Sequence, residues 1–231
     1  MIASLFPIFV AMLTGFVAGL LLSMPNVGPV NLTILNTASR RGFIAGALVG
    51  LGASSMELIY CVIAFTGFTQ FFEVKMIKTL MEVFSFVFFL FIGMKFLRAQ
   101  SLNAPTEFGA AAHKLSARVD QKFKPQSAYM TGFVRVLGNL GVLLFWIFLA
   151  GSFLSHDLVV NTLPAKGACI AGVALGTNFW FCALSFAASK HYGQFSEPAL
   201  LKMERVSGLC LVALGLGEGI RIAWQLARHK F

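Results

Sequence analysis

The feature that most constrains this chain is a series of six continuous apolar stretches, each long enough to cross a lipid bilayer as a helix. They span residues 5–23, 43–68, 76–97, 128–152, 165–188 and 205–226. A hydrocarbon core of about 30 Å requires about 20 apolar residues in a helix. Lipid cannot satisfy free backbone groups, and continuous rather than alternating apolarity favours helices over barrel strands. The sequence therefore predicts an all-α integral membrane protein with about six transmembrane helices.

Composition supports a lipid environment. Only 12% of the 231 residues are Asp, Glu, Lys or Arg, and 58% are hydrophobic, whereas a soluble domain carries about 25% charged residues. The net charge of +9 is consistent with the excess of Lys and Arg that membrane proteins carry in their cytoplasmic loops. No basic helix interleaved with aromatic residues lies outside the apolar stretches, so we predict no nucleic-acid partner.

The basic residues also predict an orientation. Eleven lie on one side of the predicted spans, namely Arg40, Arg41, Lys95, Arg98, Lys114, Arg118, Lys122, Lys124, Lys190, Lys202 and Arg205. Six lie on the other side, namely Lys75, Lys78, Lys166, Arg221, Arg228 and Lys230. The richer side is expected in the cytoplasm and both termini outside, although the basic C-terminal tail counts against this. The cytoplasmic loop, residues 98–126, shows apolar and basic residues at helical spacing, which predicts an amphipathic helix on the membrane; a plain linker is the alternative.

The two halves of the chain resemble each other weakly. A Gly-Phe-Val motif begins at Gly15 in the first apolar stretch and at Gly132 in the fourth, and one alignment of the second and fifth stretches sets Glu57 opposite Asn178. Because each half has three predicted spans, the second half would insert upside down. Such inverted repeats are typical of secondary transporters, while chance similarity among Gly-rich segments is the alternative. The predicted single transmembrane domain, 1–231, then consists of a first repeat (1–97), a cytoplasmic linker (98–126) and a second repeat (127–231).

The sharpest local motif follows the first apolar stretch, where Pro25-Asn26-Val27-Gly28-Pro29-Val30-Asn31 stands. Proline removes a backbone donor and glycine relaxes the backbone, so the segment predicts a helix break. Freed backbone groups at membrane depth must face protein or a wet cavity, and a half-helix N-terminus attracts a carboxylate. We therefore predict that Pro25, Gly28, Pro29 and Asn31 border a substrate site; an ordinary polar turn is the alternative.

Glu57 is the one acidic residue near the middle of a predicted span. A charged carboxylate there costs at least about 2.5–3.5 kcal/mol, so it faces the protein interior or is protonated. It is predicted to carry a proton or to bind a substrate ammonium group, and a structural ion pair with Arg135 is the alternative. Asn139, one turn from Arg135, and Asn178 complete the candidate site, although interhelical hydrogen bonding is the commoner role for such an Asn.

The chain lacks the sequence patterns of a nucleotide-driven pump, an enzyme or a metal centre. It contains no Walker motif, no HExxH or CxxC pattern, and no Ser/His/Asp or paired-acid constellation within the spans. We therefore expect no enzymatic activity, no cofactor and no metal. Glycines spaced by four residues, as at Gly15 and Gly19 or Gly172 and Gly176, allow close helix packing, either within the chain or in a homodimer.

Several of these segments together resemble a known family. The run from Gly28 to Gly42, with its paired arginines, resembles a Pro-Gly-Pro segment followed by a basic turn, and Gly46, Gly52 and Glu57 fall where that family has glycines and a membrane acid, usually Asp. Further matches are Phe89–Gly93, Gly132-Phe133 with Asn139, and Arg205–Gly208 with Gly215. The family is that of the LysE/RhtB amino-acid exporters. Val27 stands in place of its first proline, and Asn139-Leu140-Gly141 in place of its Asn-Pro-Lys, which removes a helix breaker and a cation.

The resemblance implies a multi-pass protein of the bacterial inner membrane that exports amino acids or related small metabolites, driven by protons. Its partners would be the small-molecule substrate and the lipid bilayer. An ion transporter or channel is one alternative, but it would need more acidic residues or a His/Cys cluster within the spans. The other alternative is a non-transporting membrane assembly protein. The predicted broken helix and buried acid favour a transporter over this alternative.

Overall fold

A computed structural model of the chain describes residues 2–23, 29–67, 75–98, 127–190 and 197–228. Within these ranges the chain forms eight helices and no strand. They are α1 (Ile2–Ser23), α2 (Pro29–Arg41), α3 (Phe43–Gly67), α4 (Lys75–Leu97), α5 (Ala128–Leu137), α6 (Leu140–Ser155), α7 (Leu163–Lys190) and α8 (Glu197–Arg228).

The all-α prediction is confirmed, and every predicted span coincides with a helix or a pair of helices. Helices α3 and α7 are each long and apolar enough to cross a membrane. The bent pair α5–α6 forms a third candidate span if the two helices are taken together. The predicted amphipathic helix in 98–126 lies outside the described residues apart from Arg98.

Helix α1 packs along α7 through glycines at which the two backbones touch. Gly15 lies against the carbonyl of Cys169, and in return Gly172 lies against the carbonyl of Met12. A Cβ at either glycine would overlap the facing backbone. The four-residue glycine spacing therefore serves packing within the chain at this interface.

The same kind of contact joins α3 to α5. Gly52 lies against the carbonyl of Tyr129, and Gly132 lies against the carbonyl of Val49. Farther along both helices the Tyr60 hydroxyl donates to the carbonyl of Leu137, so the contacts advance in the same direction and α3 and α5 are parallel. Helices α1 and α7 are parallel too, because Gly15 lies against Cys169 and, one turn later on both helices, Gly19 lies against Val173.

Two other helix pairs are antiparallel. At the α4–α8 interface Gly93 lies against Val212, and Gly215 lies against Leu90. At the α3–α7 interface the hydroxyl of Ser185 donates to the carbonyl of Phe43 over 2.7 Å, so the end of α7 lies beside the start of α3. Helix α3 thus stands at the centre, in contact with α2, α5, α6 and α7.

Helix α2 is short and ends at a glycine. Gly42 has φ +85°, a left-handed conformation that glycine adopts without steric cost, and its N–H donates to the carbonyl of Ala38 over 2.9 Å. This turn lets α3 begin at Phe43 and fold back on α2. Ile34, Leu35 and Ala38 bury the inner face of α2 in the core.

Candidate functional site

Helix α1 is described as far as Ser23 and α2 from Pro29 onward, and the residues between them lie outside the described structure. A proline at the first position of a helix loses no intrahelical hydrogen bond. Asn31 is buried, and its Nδ2 donates to the carbonyl of Ser23 over 2.9 Å. This bond ties the first turn of α2 to the end of α1. Pro25 and Gly28, which the sequence also selects, lie outside the described residues.

An interruption divides the fourth predicted span, which the sequence predicts to be continuous. Helix α5 ends at Leu137, α6 begins at Leu140, and the two axes differ by 69°. Between them Gly138 has no side chain to pack, and Asn139 leaves the helical conformation with φ −106° and ψ 80°. The break thus forms without the proline that the resembled family carries here. Consequently Arg135 and Asn139 do not share a helix face.

Tyr60 satisfies backbone carbonyls at this break. Its side chain is 4% exposed, and its hydroxyl donates to the carbonyl of Leu137 over 3.0 Å and to that of Val136 over 3.4 Å. Carbonyls freed at the end of a helix in apolar surroundings need such a donor. Sequence reasoning missed Tyr60; the available signal was its position three residues after Glu57, on the same side of α3.

Asn178 connects α7 to α3 close to Glu57. Its Nδ2 donates to the hydroxyl of Ser54 over 2.8 Å and to the carbonyl of Ala174 over 2.8 Å. Ser54 is 1% exposed and lies one helical turn before Glu57 on α3. The structure therefore shows the interhelical hydrogen bond that is common for an intramembrane Asn, and places it beside the acid.

Glu57 is half-buried on α3, and in the described part of the chain its carboxyl has no hydrogen bond or ion pair. Arg135 is the alternative structural partner, and it has an interaction of its own in the structure. It lies in the last turn of α5, where the carbonyl end of a helix favours a cation. Glu57 thus presents a carboxyl group that the described protein does not neutralise.

Two further polar groups lie on the face of α7 that meets α1. Thr177 is 1% exposed, and a Cβ built on Gly19 of α1 would lie 3.0 Å from its hydroxyl oxygen. Trp180 follows one turn later, and its indole nitrogen is buried. Neither the Thr177 hydroxyl nor the Trp180 N–H has a hydrogen-bond partner among the described residues.

The polar groups described so far lie on α3, on α7, in the first turn of α2 and at the break between α5 and α6. Asn31 lies in the first turn of α2 and Asn139 at the break between α5 and α6. Asn178 lies at the α3–α7 interface, and Glu57 lies one turn beyond its partner Ser54 on α3. A carboxyl, amides, hydroxyls and helix ends can bind a small zwitterion without a cofactor. In the described ranges no group of three or more His, Cys, Asp or Glu residues could hold a metal ion.

Comparison with known proteins connects this arrangement to transport. A family model described as "LysE type translocator" matches residues 20–218. The chain is 26% identical over 214 residues to the protein named "Putative amino acid efflux protein YcgF" of Bacillus subtilis (strain 168), and the match covers 93% of this chain and 97% of that protein. No solved structure matches the chain significantly.

Proposed function

Because this chain belongs to the LysE-type translocator family, we propose that it is a secondary active exporter of amino acids or related small metabolites in the bacterial inner membrane. The observation that carries the proposal is the half-buried carboxyl of Glu57, which has no hydrogen bond or ion pair among the described residues and lies one helical turn beyond the Ser54–Asn178 contact between α3 and α7. The similar protein named for amino acid efflux supports the class of substrate.

We propose that the chain crosses the membrane six times, with α1, α3, α4, the pair α5–α6, α7 and α8 as spans. The packing directions support this count. Parallel pairs, α1 with α7 and α3 with α5, and antiparallel pairs, α3 with α7 and α4 with α8, are the directions that alternating spans would have.

We further propose that the spans form two inverted repeats, α1 to α4 and α5 to α8. The contacts of Gly15 with Cys169 and of Gly172 with Met12, between α1 and α7, have counterparts in those of Gly132 with Val49 and of Gly52 with Tyr129, between α5 and α3. Similarly, the contact of Gly93 with Val212 is matched by that of Gly215 with Leu90. If each half of the chain is superposed on the other half, every one of these contacts coincides with its counterpart. A two-fold axis in the membrane plane requires this correspondence.

These glycine pairs set the register between the repeats. Five residues beyond Gly52 lies Glu57, and five residues beyond Gly172 lies Thr177. The counterpart of Glu57 is therefore Thr177, one residue from the Asn178 that the sequence alignment sets opposite it. The acid is present in one repeat only, so the proposed site is chemically asymmetric.

We propose that export is coupled to inward proton flow through Glu57. An ammonium group of the substrate binds the ionised carboxyl, and a proton replaces the substrate after release. Because the same carboxyl binds the substrate ammonium group and the proton in turn, the substrate can bind only after the proton is released, and the proton only after the substrate is released. Asn178 holds Ser54 and therefore the preceding turn of α3 in place for both states.

The test is Glu57→Gln in proteoliposomes, with whichever amino acid the wild type exchanges. Glutamine retains size and hydrogen bonding but does not titrate. We expect loss of accumulation driven by a pH gradient, by at least about tenfold, with counterflow exchange retained in part. Glu82→Gln is the matched control, because Glu82 is also buried but lies on α4, away from the α3–α7 interface. Full gradient coupling in a stable Glu57→Gln protein would refute this role, and poor expression without selective uncoupling would indicate a structural one.

A further inference from the structure

Tyr60 and Trp180 occupy equivalent positions in the two proposed repeats but differ in their hydrogen bonding. Tyr60 lies eight residues beyond Gly52, and Trp180 lies eight residues beyond Gly172. The Tyr60 hydroxyl donates to two carbonyls at the end of α5. The Trp180 N–H is buried and has no hydrogen-bond partner among the described residues. The Tyr60 hydroxyl thus has hydrogen-bond acceptors, whereas the equivalent Trp180 N–H has none among the described residues.

The carbonyl groups that would serve Trp180 can be identified from the same register. Tyr60 binds the carbonyls of Val136 and Leu137, four and five residues beyond Gly132. Their counterparts, four and five residues beyond Gly15, belong to Gly19 and Leu20.

The two halves differ in structure at this position. Helix α5 ends at Leu137, whereas α1 continues past Leu20 for three more residues, to Ser23. A carbonyl inside a helix is engaged by the N–H four residues later, so the Gly19 carbonyl is not free for Trp180. The hydroxyl of Thr177, which faces Gly19, is also without a partner in the described structure. The two buried polar groups on α7, of which the Thr177 hydroxyl faces Gly19, are therefore unsatisfied in the described structure, and such groups are rare without a functional reason.

This inference rests on the proposed function of export by two inverted repeats. We propose that the repeats exchange conformations during transport and that Tyr60 and Trp180 are alternating positioning residues. In the conformation described, Tyr60 holds the end of α5 at Leu137. In the opposite conformation α1 ends near Leu20, Trp180 donates its N–H to a carbonyl freed there, and α5 extends beyond Leu137 so that Tyr60 loses its acceptors. Each state retains one of the two hydrogen bonds, which keeps the states close in free energy.

Spin-label distances across the break between α5 and α6 test this proposal directly. Labels attached to Met130→Cys on α5 and Leu144→Cys on α6 are suitable, because both side chains are exposed. Cys182 and Cys210 are replaced by serine beforehand, while Cys61 and Cys169 are fully buried. Double electron–electron resonance in lipid nanodiscs then reports the proportion of each conformation without any added solute.

We expect two distances in the wild-type background. Tyr60→Phe should reduce the population with the described distance by about fivefold, the effect of one neutral hydrogen bond. Trp180→Phe should increase that population by a similar factor, and the double variant should return close to the wild-type ratio. Trp224→Phe serves as the control, because Trp224 is 63% exposed at the other end of the chain, and it should leave the ratio unchanged.

A purely structural role predicts different results. Loss of Tyr60 alone would then lower stability, and Trp180→Phe would change nothing, since no described contact uses the indole N–H. The proposal is overturned if the two single variants shift the ratio in the same direction, if Trp180→Phe leaves it unchanged, or if all proteins show one distance. Trp180→Phe decides the matter even if Tyr60→Phe fails to fold. Because no transport is measured, a failure here is distinct from a failure of the proposed export.

Discussion

Ser54 and Asn178 show how a single hydrogen bond organises the surroundings of Glu57. Ser54 is almost fully buried, and its hydroxyl accepts from Asn178 across the α3–α7 interface. In a medium without water, the Ser54 hydroxyl left alone would be an unsatisfied polar group, whereas Asn178 also donates to the carbonyl of Ala174. The pair therefore fixes the relative position of the two central helices at the level of the acid.

A double-mutant cycle measures this bond. Ser54→Ala removes the acceptor, while Asn178 retains the carbonyl of Ala174, so the free energy of unfolding should fall by no more than about 1 kcal/mol. Asn178→Ala should cost more, because it removes both bonds. The double variant should be no less stable than Asn178→Ala. The measurement is reversible unfolding in mixed micelles, and strictly additive losses would show that the two side chains do not interact.

At the scale of helices, contacts between glycines and facing backbones determine which pairs pack. Gly132 meets the backbone of Val49 so closely that a Cβ would overlap it. Gly217 on α8, in contrast, has nothing within 4 Å of the position of a Cβ. A comparison of the same substitution at Gly132 and at Gly217 therefore separates the effect of close helix packing from the effect of helix propensity.

We predict that Gly132→Ala destabilises the protein, whereas Gly217→Ala does not. Overpacking at the α3–α5 interface typically costs about 1–3 kcal/mol. At an open helical position alanine is favoured over glycine by about 0.5–1 kcal/mol. The thermal unfolding midpoints of the two detergent-solubilised variants provide the comparison. Equal midpoints would show that the α3–α5 backbones do not touch in solution.

The sequence predicted the helices well because continuous apolarity depends on local composition. It missed the interruption at Gly138 and Asn139, since glycine is tolerated inside membrane helices and the break is only two residues long. It also missed Tyr60, because that hydrogen bond depends on α3 and α5 lying side by side. Glu57 and Asn178 could be selected from residue type and depth, but the hydrogen bond of Asn178 to Ser54 depends on how α3 and α7 pack.

At the scale of the whole molecule, the arrangement of basic residues and the alternating helix directions predict one orientation. Ser116 in the linker should face the cytoplasm, and Val160, which is exposed between α6 and α7, should face outward. In a cysteine-free background, a membrane-impermeant maleimide should label Val160→Cys in right-side-out vesicles and Ser116→Cys only after permeabilisation. The reverse pattern would invert the proposed topology, and labelling of both without permeabilisation would contradict the six-span count.

The central claim is that this chain moves amino acids across a membrane by itself, driven by a proton gradient. The most direct measurement is a screen of the purified protein in liposomes, with a panel of radiolabelled amino acids tested for counterflow and for accumulation under an imposed pH gradient. We predict that at least one amino acid exchanges faster than in protein-free liposomes and accumulates only while the gradient lasts. The claim is contradicted if a folded, membrane-inserted protein exchanges none of the panel, and the coupling alone is contradicted if exchange occurs but ignores the gradient.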